Sequence, residues 1–374
     1  MIVDLHAHYP MHLNQTHEEA GQHDTPGDLV RGIALDAVNA LMNAPTVVTI
    51  ENLRAGAVMV ALSVLYLPFD EIDLSKSYGA PPDPRYFADL LALIDAVEAD
   101  IAARPANDAV IVRSQADLTA AAAANQVALI HAVEGGFHIG ADDPAIRANV
   151  QDLARRGVAY ITVAHLFFRQ VATNAPAIPL LTDSLYNTFC PQPGGGVQPM
   201  GRVLIDEMVK QRILIDLTHM SRASITAALQ ILDEIDPGNT VPVVATHAAC
   251  ALNTDAEYNI TPEQILAVQK RGGVIGLIAC EHWMSLGRSK PGNFDESMVL
   301  IFEHVQQIHD VTGTFDNIAI GSDMDGFIRP SLKGFDSPTV YREVAARLAS
   351  KFNQPAADAI CSLNAMRMLK WWRS

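Results

Sequence analysis

Basic charge is scarce in this sequence: 26 lysines and arginines stand against 42 aspartates and glutamates, a formal net charge of -16. Nucleic acid and anionic membrane surfaces both demand a basic face, so neither is expected as a partner. Cysteine is sparse as well. Cys190, Cys250, Cys280 and Cys361 are far apart and form no CxxC pair. A disulfide framework and a thiolate zinc knuckle are therefore excluded, and a reducing cytoplasm is the expected compartment. No apolar run reaches the ~20 residues of a membrane span. The amino terminus runs straight into MIVDLHAH, without the basic and apolar regions of a secretion signal. Phosphate-cradling loops are missing too, since neither 135–136 nor 194–196 fits GxGxxG or a P-loop.

What is present is an alternation of short apolar runs and helix-like segments from end to end. The runs at 1–5, 56–66, 127–133, 159–164, 214–218, 241–246, 273–279 and 317–321 have strand composition. Between several of them lie segments with apolar residues at three- and four-residue steps: 86–103, 144–157, 200–212, 221–235, 261–271, 294–311 and 337–351. The second opens on proline and closes on glycine, and TPEQ at Thr261 reads as a capping box. The alanines at 120–124 suit helix filler. Eight strands interleaved with helices predict an α/β fold, a (β/α)8 TIM barrel over residues 1–374 as one domain. A doubly wound open sheet is the alternative, but it usually carries a glycine-rich loop after its first strand, where this chain has HAHYP. Two irregular segments, 67–85 and 167–197, follow strands and are expected to lie over the barrel mouth as binding loops.

Six candidate metal ligands fall at the ends of those runs: His6, His8, Glu134, His219, His247 and Asp323. A parallel barrel gathers the carboxyl ends of its strands at one mouth, so residues hundreds of positions apart converge there. Taken singly, each has an ordinary structural explanation; the recurrence does not. His6 and His8 are two apart and would share a face of the strand. Imidazoles with a few carboxylates suit zinc, with iron or manganese as the other fits. Six ligands exceed what one catalytic zinc takes, so two ions sharing Glu134 are expected, ionising a water that attacks a carbonyl. Asp323 in GSDMDG would bind metal or carry the proton to the leaving group, and Asp325 would brace the loop.

The motifs together resemble the renal (membrane) dipeptidase family, M19 metallopeptidases of the amidohydrolase superfamily. DLHAHYP, HAVEGG, AYITVAHLFFRQVATN, GRVLIDEMVKQRILIDLTHMS, ATHAAC, ITPEQILAVQKRGGVIGLI and NIAIGSDMDGF carry the likeness across nearly the whole chain. The resemblance implies a distorted barrel with two zinc ions that hydrolyses dipeptides. It places His6 at the first ligand, Glu134 at the bridge, His219 and His247 at the second metal, and Asp323 at the catalytic aspartate. His165 falls where a histidine contacts the tetrahedral oxyanion and so joins Glu134 and Asp323 as a catalytic candidate.

Three departures qualify it. His8 stands where the family has aspartate. Tyr258 stands where an arginine grips the substrate's carboxylate, a task for a bidentate cation. CEHWM replaces a tyrosine-bearing segment. Arg169 or Arg222 is a candidate substitute, so His165, Tyr258 and Arg169 are taken as substrate-binding. The expected activity is cleavage of a dipeptide amide, with a small-molecule substrate and, by analogy, a homodimer. Other bonds (N-acyl amino acid, cyclic amide, lactone or phosphoester) and a non-catalytic metal-binding barrel are the alternatives.

Overall fold

The computed structural model describes residues 1–13, 25–179, 181–252, 254–327 and 331–372. Nine parallel strands form its sheet: β1 (Ile2–Ala7), β2 (Val58–Leu65), β3 (Ala109–Ile111), β4 (Val127–Glu134), β5 (Tyr160–Thr162), β6 (Leu214–Asp216), β7 (Val243–Ala248), β8 (Val274–Leu277) and β9 (Ile318–Ile320). They run in the order β2-β1-β9-β8-β7-β6-β5-β4-β3, and a β2–β4 pairing closes eight of them into a ring. The fold is a (β/α)8 barrel, as the alternation predicts.

All eight runs read from the sequence become ring strands. The ninth strand, β3, is an addition. It pairs with Val127, Ala128 and Leu129 of β4, whereas β5 meets β4 at Val133 and Glu134. β3 thus fills the space between β4 and β5 toward their amino ends, which is the barrel's distortion. Three ladder residues in DAVIVRS leave too short an apolar run to read as a strand.

Both faces of the ring are covered, so the strands read as continuous apolar runs rather than alternating ones. On β2, Val60, Leu62 and Val64 point into the barrel, while Ala61 and Leu65 pack under the helices. The outer helices follow their sequence signals. Arg85–Ala102 buries Leu90, Leu93, Ile94, Val97 and Ile101 on one stripe. Asp143–Arg156 is capped by the Asp142 side chain and stopped by Gly157 at φ +85°. The Thr261–Gln264 capping box is formed.

Elements beyond that reading are the helices Pro26–Met42 and Ile50–Ala55, and short helices inside both long loops, Pro68–Glu71 and Asp183–Phe189. Position 180 of the second loop lies outside the described residues. Among the described residues, no helix is long and apolar enough to cross a membrane.

The amino-terminal end of the barrel is stoppered by the chain's own end. Met368, Leu369 and Trp372 join the interior cluster of Val3, Leu214 and Val274. Trp372 is fully buried and its Nε1 donates to Val158 O at 3.1 Å. Gln115 Nε2 donates to Leu369 O and Trp372 O, which pins the plug from below. Trp372→Ala is expected to cost about 3–5 kcal/mol, the range for deleting a buried aromatic, read as a lowered midpoint in denaturant unfolding.

Candidate metal centre

The carboxyl ends of β1, β4, β6, β7 and β9 bring all six sequence-predicted ligands into one buried cluster, and His165 beyond β5 joins them. Glu134 is the hub. On its ladder Ala128, Ile130 and Ala132 face inward, so alternation carries Glu134 inward as well. Its Oε1 lies 3.2 Å from His6 Nε2, 3.4 Å from His247 Nε2, 3.5 Å from His165 Nε2 and 3.8 Å from His219 Nε2. Its Oε2 is 3.4 Å from His8 Nε2. On one flank His8 Nε2 is 3.0 Å from Asp323 Oδ1 and 3.2 Å from His6 Nε2. On the other, His219 Nε2 and His247 Nε2 are 2.9 Å apart.

The backbone is bent to achieve this. His6 does not follow the simple alternation that its HxH spacing suggests, because Val3 and Leu5 already occupy the barrel interior. Register slips between Asp4 and Ala7, and the Asp4 carboxylate accepts the His6 N–H. His8 lies just past the strand, its N–H donating to Met324 O. A second irregularity between Ala245 and Ala248 lets the adjacent Thr246 and His247 both turn toward the centre. Gly276 and Gly321 make room for it: a Cβ would sit 2.0 Å and 1.7 Å from Thr246 O. His219 and Asp323 adopt left-handed backbone at φ +65° and +55°. Such non-glycine conformations cost on the order of 1–3 kcal/mol and concentrate at functional sites.

Residues the sequence reading passed over set the ring tautomers. Asp216, fully buried on β6, accepts from the hydroxyls of Thr162, Thr218 and Thr246. Thr246 spends its proton there, so its oxygen accepts from His247 Nδ1 at 2.9 Å and His6 Nδ1 at 3.2 Å. Tyr160 donates to Leu5 O and likewise accepts from His6 Nδ1 at 2.8 Å. With Nδ1 so held, His6 and His247 both turn Nε2 toward Glu134. The same-type strand-end rule that flagged the ligands would have flagged Asp216 in LIDLTH; Thr246 carries no such signal.

Charge follows geometry. Burial, with His165 beside His219 and His6 beside His247, holds those two imidazoles well below their usual pKa, hence neutral. Burial opposes ionisation of Glu134, but the surrounding histidines pull its pKa well below the ordinary carboxylate range. Burial also works against a cationic His165, yet Glu134 and Glu71 raise its pKa to about 9.

Imidazole nitrogens and carboxylate oxygens crowded together away from solvent, with Glu134 Oε1 lacking a hydrogen-bond partner among the described residues, fit a cation. Two ligands of one zinc, each about 2.1 Å from it, stand roughly 3.4 Å apart in a tetrahedron; the distances above bracket that. Three overlapping ligand sets meet the spacing: His6/Glu134/His247, His6/His8/Asp323 and Glu134/His165/His219.

The remaining expected site residues lie around the cluster with the following contacts. Tyr258 donates its hydroxyl to His247 O at 2.8 Å and stacks on Trp283 at 4.4 Å. The Arg169 guanidinium, 3% exposed, donates to Glu71 O and Asp70 O, with Nη1 left without a partner. Arg222 reaches Asp255 O at the rim. The Asp325 carboxylate accepts from Val47 N and Val48 N, bracing that loop.

A parallel barrel whose carboxyl-terminal mouth holds this imidazole–carboxylate cluster is a metal-binding (β/α)8 barrel. The chain belongs to the membrane dipeptidase family (peptidase family M19), whose sequence model matches residues 1–372. It is 25% identical over 216 residues to an uncharacterised dipeptidase of Schizosaccharomyces pombe, covering 57% of this chain and 46% of that protein. Dipeptidase verJ of Clonostachys rogersoniana is 25% identical over 249 residues, 65% of this chain and 55% of that one. The chain spans about half the length of the curated relatives it matches. Among solved structures, dipeptidase AC, a metallopeptidase of family M19, has a TM-score of 0.74 at 16% identity, covering 100% of this chain and 98% of that one. A metallopeptidase from Rhodobacter sphaeroides, solved with a phosphinate mimic of the dipeptide L-Ala-D-Ala, has a TM-score of 0.71 at 17% identity and 99% coverage of each chain. At such identities the likeness is one of fold.

Because Thr246 orients two of the imidazoles, Thr246→Val is expected to weaken zinc binding about 10- to 100-fold, the usual cost of losing such a partner. Competition against a fluorescent chelator measures it, with circular dichroism checking that the barrel persists.

Proposed function

We propose that this chain is a metal-dependent hydrolase that cleaves the amide bond of a dipeptide, with two zinc ions as its metals and Glu134 as a residue that would serve both. The observation that carries the reading is the convergence of four imidazoles and two carboxylates on one buried cluster, with the Nδ1 atoms of His6 and His247 held by Thr246 so that both Nε2 atoms face Glu134. His6, His8 and Asp323 would hold one ion and His219 and His247 the other. Bound there, the ions supply Lewis acidity and ionise water near neutral pH.

The chain's own groups do the rest. Asp323 takes the attacking water's proton on its carboxylate and passes it to the leaving amine, which a carboxylate at the mouth is placed to do. His165 Nε2, 3.5 Å from Glu134 Oε1, meets the carbonyl oxygen as its negative charge grows. Depth in the barrel excludes bulk solvent: Glu134 is 2% exposed and Asp323 8%. The four cysteines are buried and unpaired, which supports a reducing, cytoplasmic setting.

Tyr258 favours a second reading of the substrate within the same chemistry. Its hydroxyl is committed to His247 O, and the Tyr258–Trp283 stack presents an apolar, neutral wall beside His219. Nε and Nη2 of Arg169 are taken by the Glu71 and Asp70 carbonyls, and its guanidinium is buried. Among the described residues no arginine takes the place of the family's carboxylate fork, so an N-acyl or cyclic amide without a free acid at that end fits the wall better.

Two zinc ions per chain are expected by elemental analysis, with hydrolysis of L-Ala-D-Ala abolished by chelation and restored by zinc. Asp323→Asn should lower kcat by about 10²- to 10⁴-fold, the range of a lost general acid–base. Full activity after exhaustive chelation would sink the mechanism. Turnover of blocked or cyclic amides with none of free dipeptides would select the second substrate reading.

A further inference from the structure

The five imidazoles of the centre are backed by different groups. His6 and His247 hand their Nδ1 protons to hydroxyls of Thr246 and Tyr160. His8 and His219 have no hydrogen-bond partner at Nδ1. His165 alone among them hands its Nδ1 proton to a carboxylate, Glu71 Oε2, at 2.7 Å. A carboxylate accepting from Nδ1 fixes the plane and rotation of the ring, and with them the direction of its Nε2.

Glu71 is itself held hard. It ends the short helix Pro68–Glu71 after β2 and is fully buried. Its Oε2 also accepts from Tyr66 OH at 2.7 Å, and its Oε1 accepts from Phe167 N at 2.9 Å. Arg169 grips its backbone carbonyl from the far side. The Tyr66 ring packs edge-on against the His165 ring at 4.6 Å, and the His219 ring lies 4.4 Å away on another side. Burying a carboxylate is costly, and an apolar residue would have joined these two loops more cheaply. What the carboxylate adds is a fixed orientation: with Nδ1 pinned, Nε2 points toward the Glu134 side of the cavity.

We propose that Glu71 is a positioning residue for hydrolysis, holding the His165 ring so that its Nε2 faces the scissile carbonyl oxygen, and that Arg169 serves this arrangement by clamping Glu71 rather than by touching substrate. The inference rests on the amide-hydrolase reading of the site.

The test is a double-mutant cycle in the zinc-loaded protein with Glu71→Gln, His165→Ala and the pair, reading kcat, KM and zinc content. Glu71→Gln should lower kcat about 10- to 100-fold with KM and zinc stoichiometry unchanged, and should cost nothing further in the His165→Ala background. Glu71→Asp should recover part of the loss. Additive losses, or a loss of zinc in place of a loss of kcat, would overturn the assignment. If no amide is turned over by the unmodified protein, the functional reading has failed and not this one, which then stands on a separate readout. In protein labelled at histidine nitrogen, a solvent-protected Nδ1–H resonance should vanish in both His165→Ala and Glu71→Gln. Its absence from the unmodified protein, or its persistence in folded Glu71→Gln, would overturn the pairing.

Discussion

Glu134 is a carboxylate taken almost wholly out of solvent, 2% exposed and ringed by imidazoles, with one oxygen that has no hydrogen bond among the described residues. The rest of the mouth is arranged around that incomplete group. Closing the barrel through β2–β4 puts the end of β4 at the centre of the ring opening, within reach of residues from four other ring strands. A hydrophobic replacement would satisfy packing at lower cost. The arrangement makes physical sense when cations sit among these donors, and the crowded nitrogens and the unpaired oxygen are then one feature seen from different atoms.

Holding such a cluster together without its cations falls to the layer beneath. Asp216 takes three threonine hydroxyls from three neighbouring strands, β5, the end of β6 and β7, and so ties the strand ends that carry the ligands. The irregularity in β7 is possible because Gly276 and Gly321 let its carbonyl approach β8 and the end of β9. Backbone choice, hydroxyl orientation and ring tautomer are thus linked steps. The left-handed conformations at His219 and Asp323 belong to the same account, since strain of that kind persists where surrounding contacts over-determine it.

How far the sequence speaks depends on which physical signal a residue leaves. Strands buried on both faces leave apolar runs, and charged residues at their ends stand out, so the eight ring strands and the ligand candidates were readable. β3 was not, because three residues of ladder leave no run. The helix Pro68–Glu71 hid in a segment rich in proline and aspartate, and with it Glu71, whose role exists through a contact 94 positions away with His165. Thr246 and Tyr160 matter for where a hydroxyl proton goes, which composition never records. The HxH spacing pointed to two residues that do converge, for an incomplete reason: the pair meets through a slipped strand, not through regular alternation.

The departures at positions 8 and 258 act on one property of the cavity. With a histidine at position 8, the carboxylates among the six donors are Glu134 and Asp323, and two carboxylates would not neutralise two dications. A loaded centre would keep positive charge, and a buried site of low dielectric would make that charge felt at short range. On the opposite side, Tyr258 and Trp283 offer an aromatic surface and a hydroxyl already in use. Attraction for a negative group is thereby drawn toward the metals and withdrawn from the wall. Selectivity would then be set by what the stack tolerates, and reactivity by the cluster, so that two substitutions leave the chemistry of the barrel in place while moving the point at which a substrate is recognised.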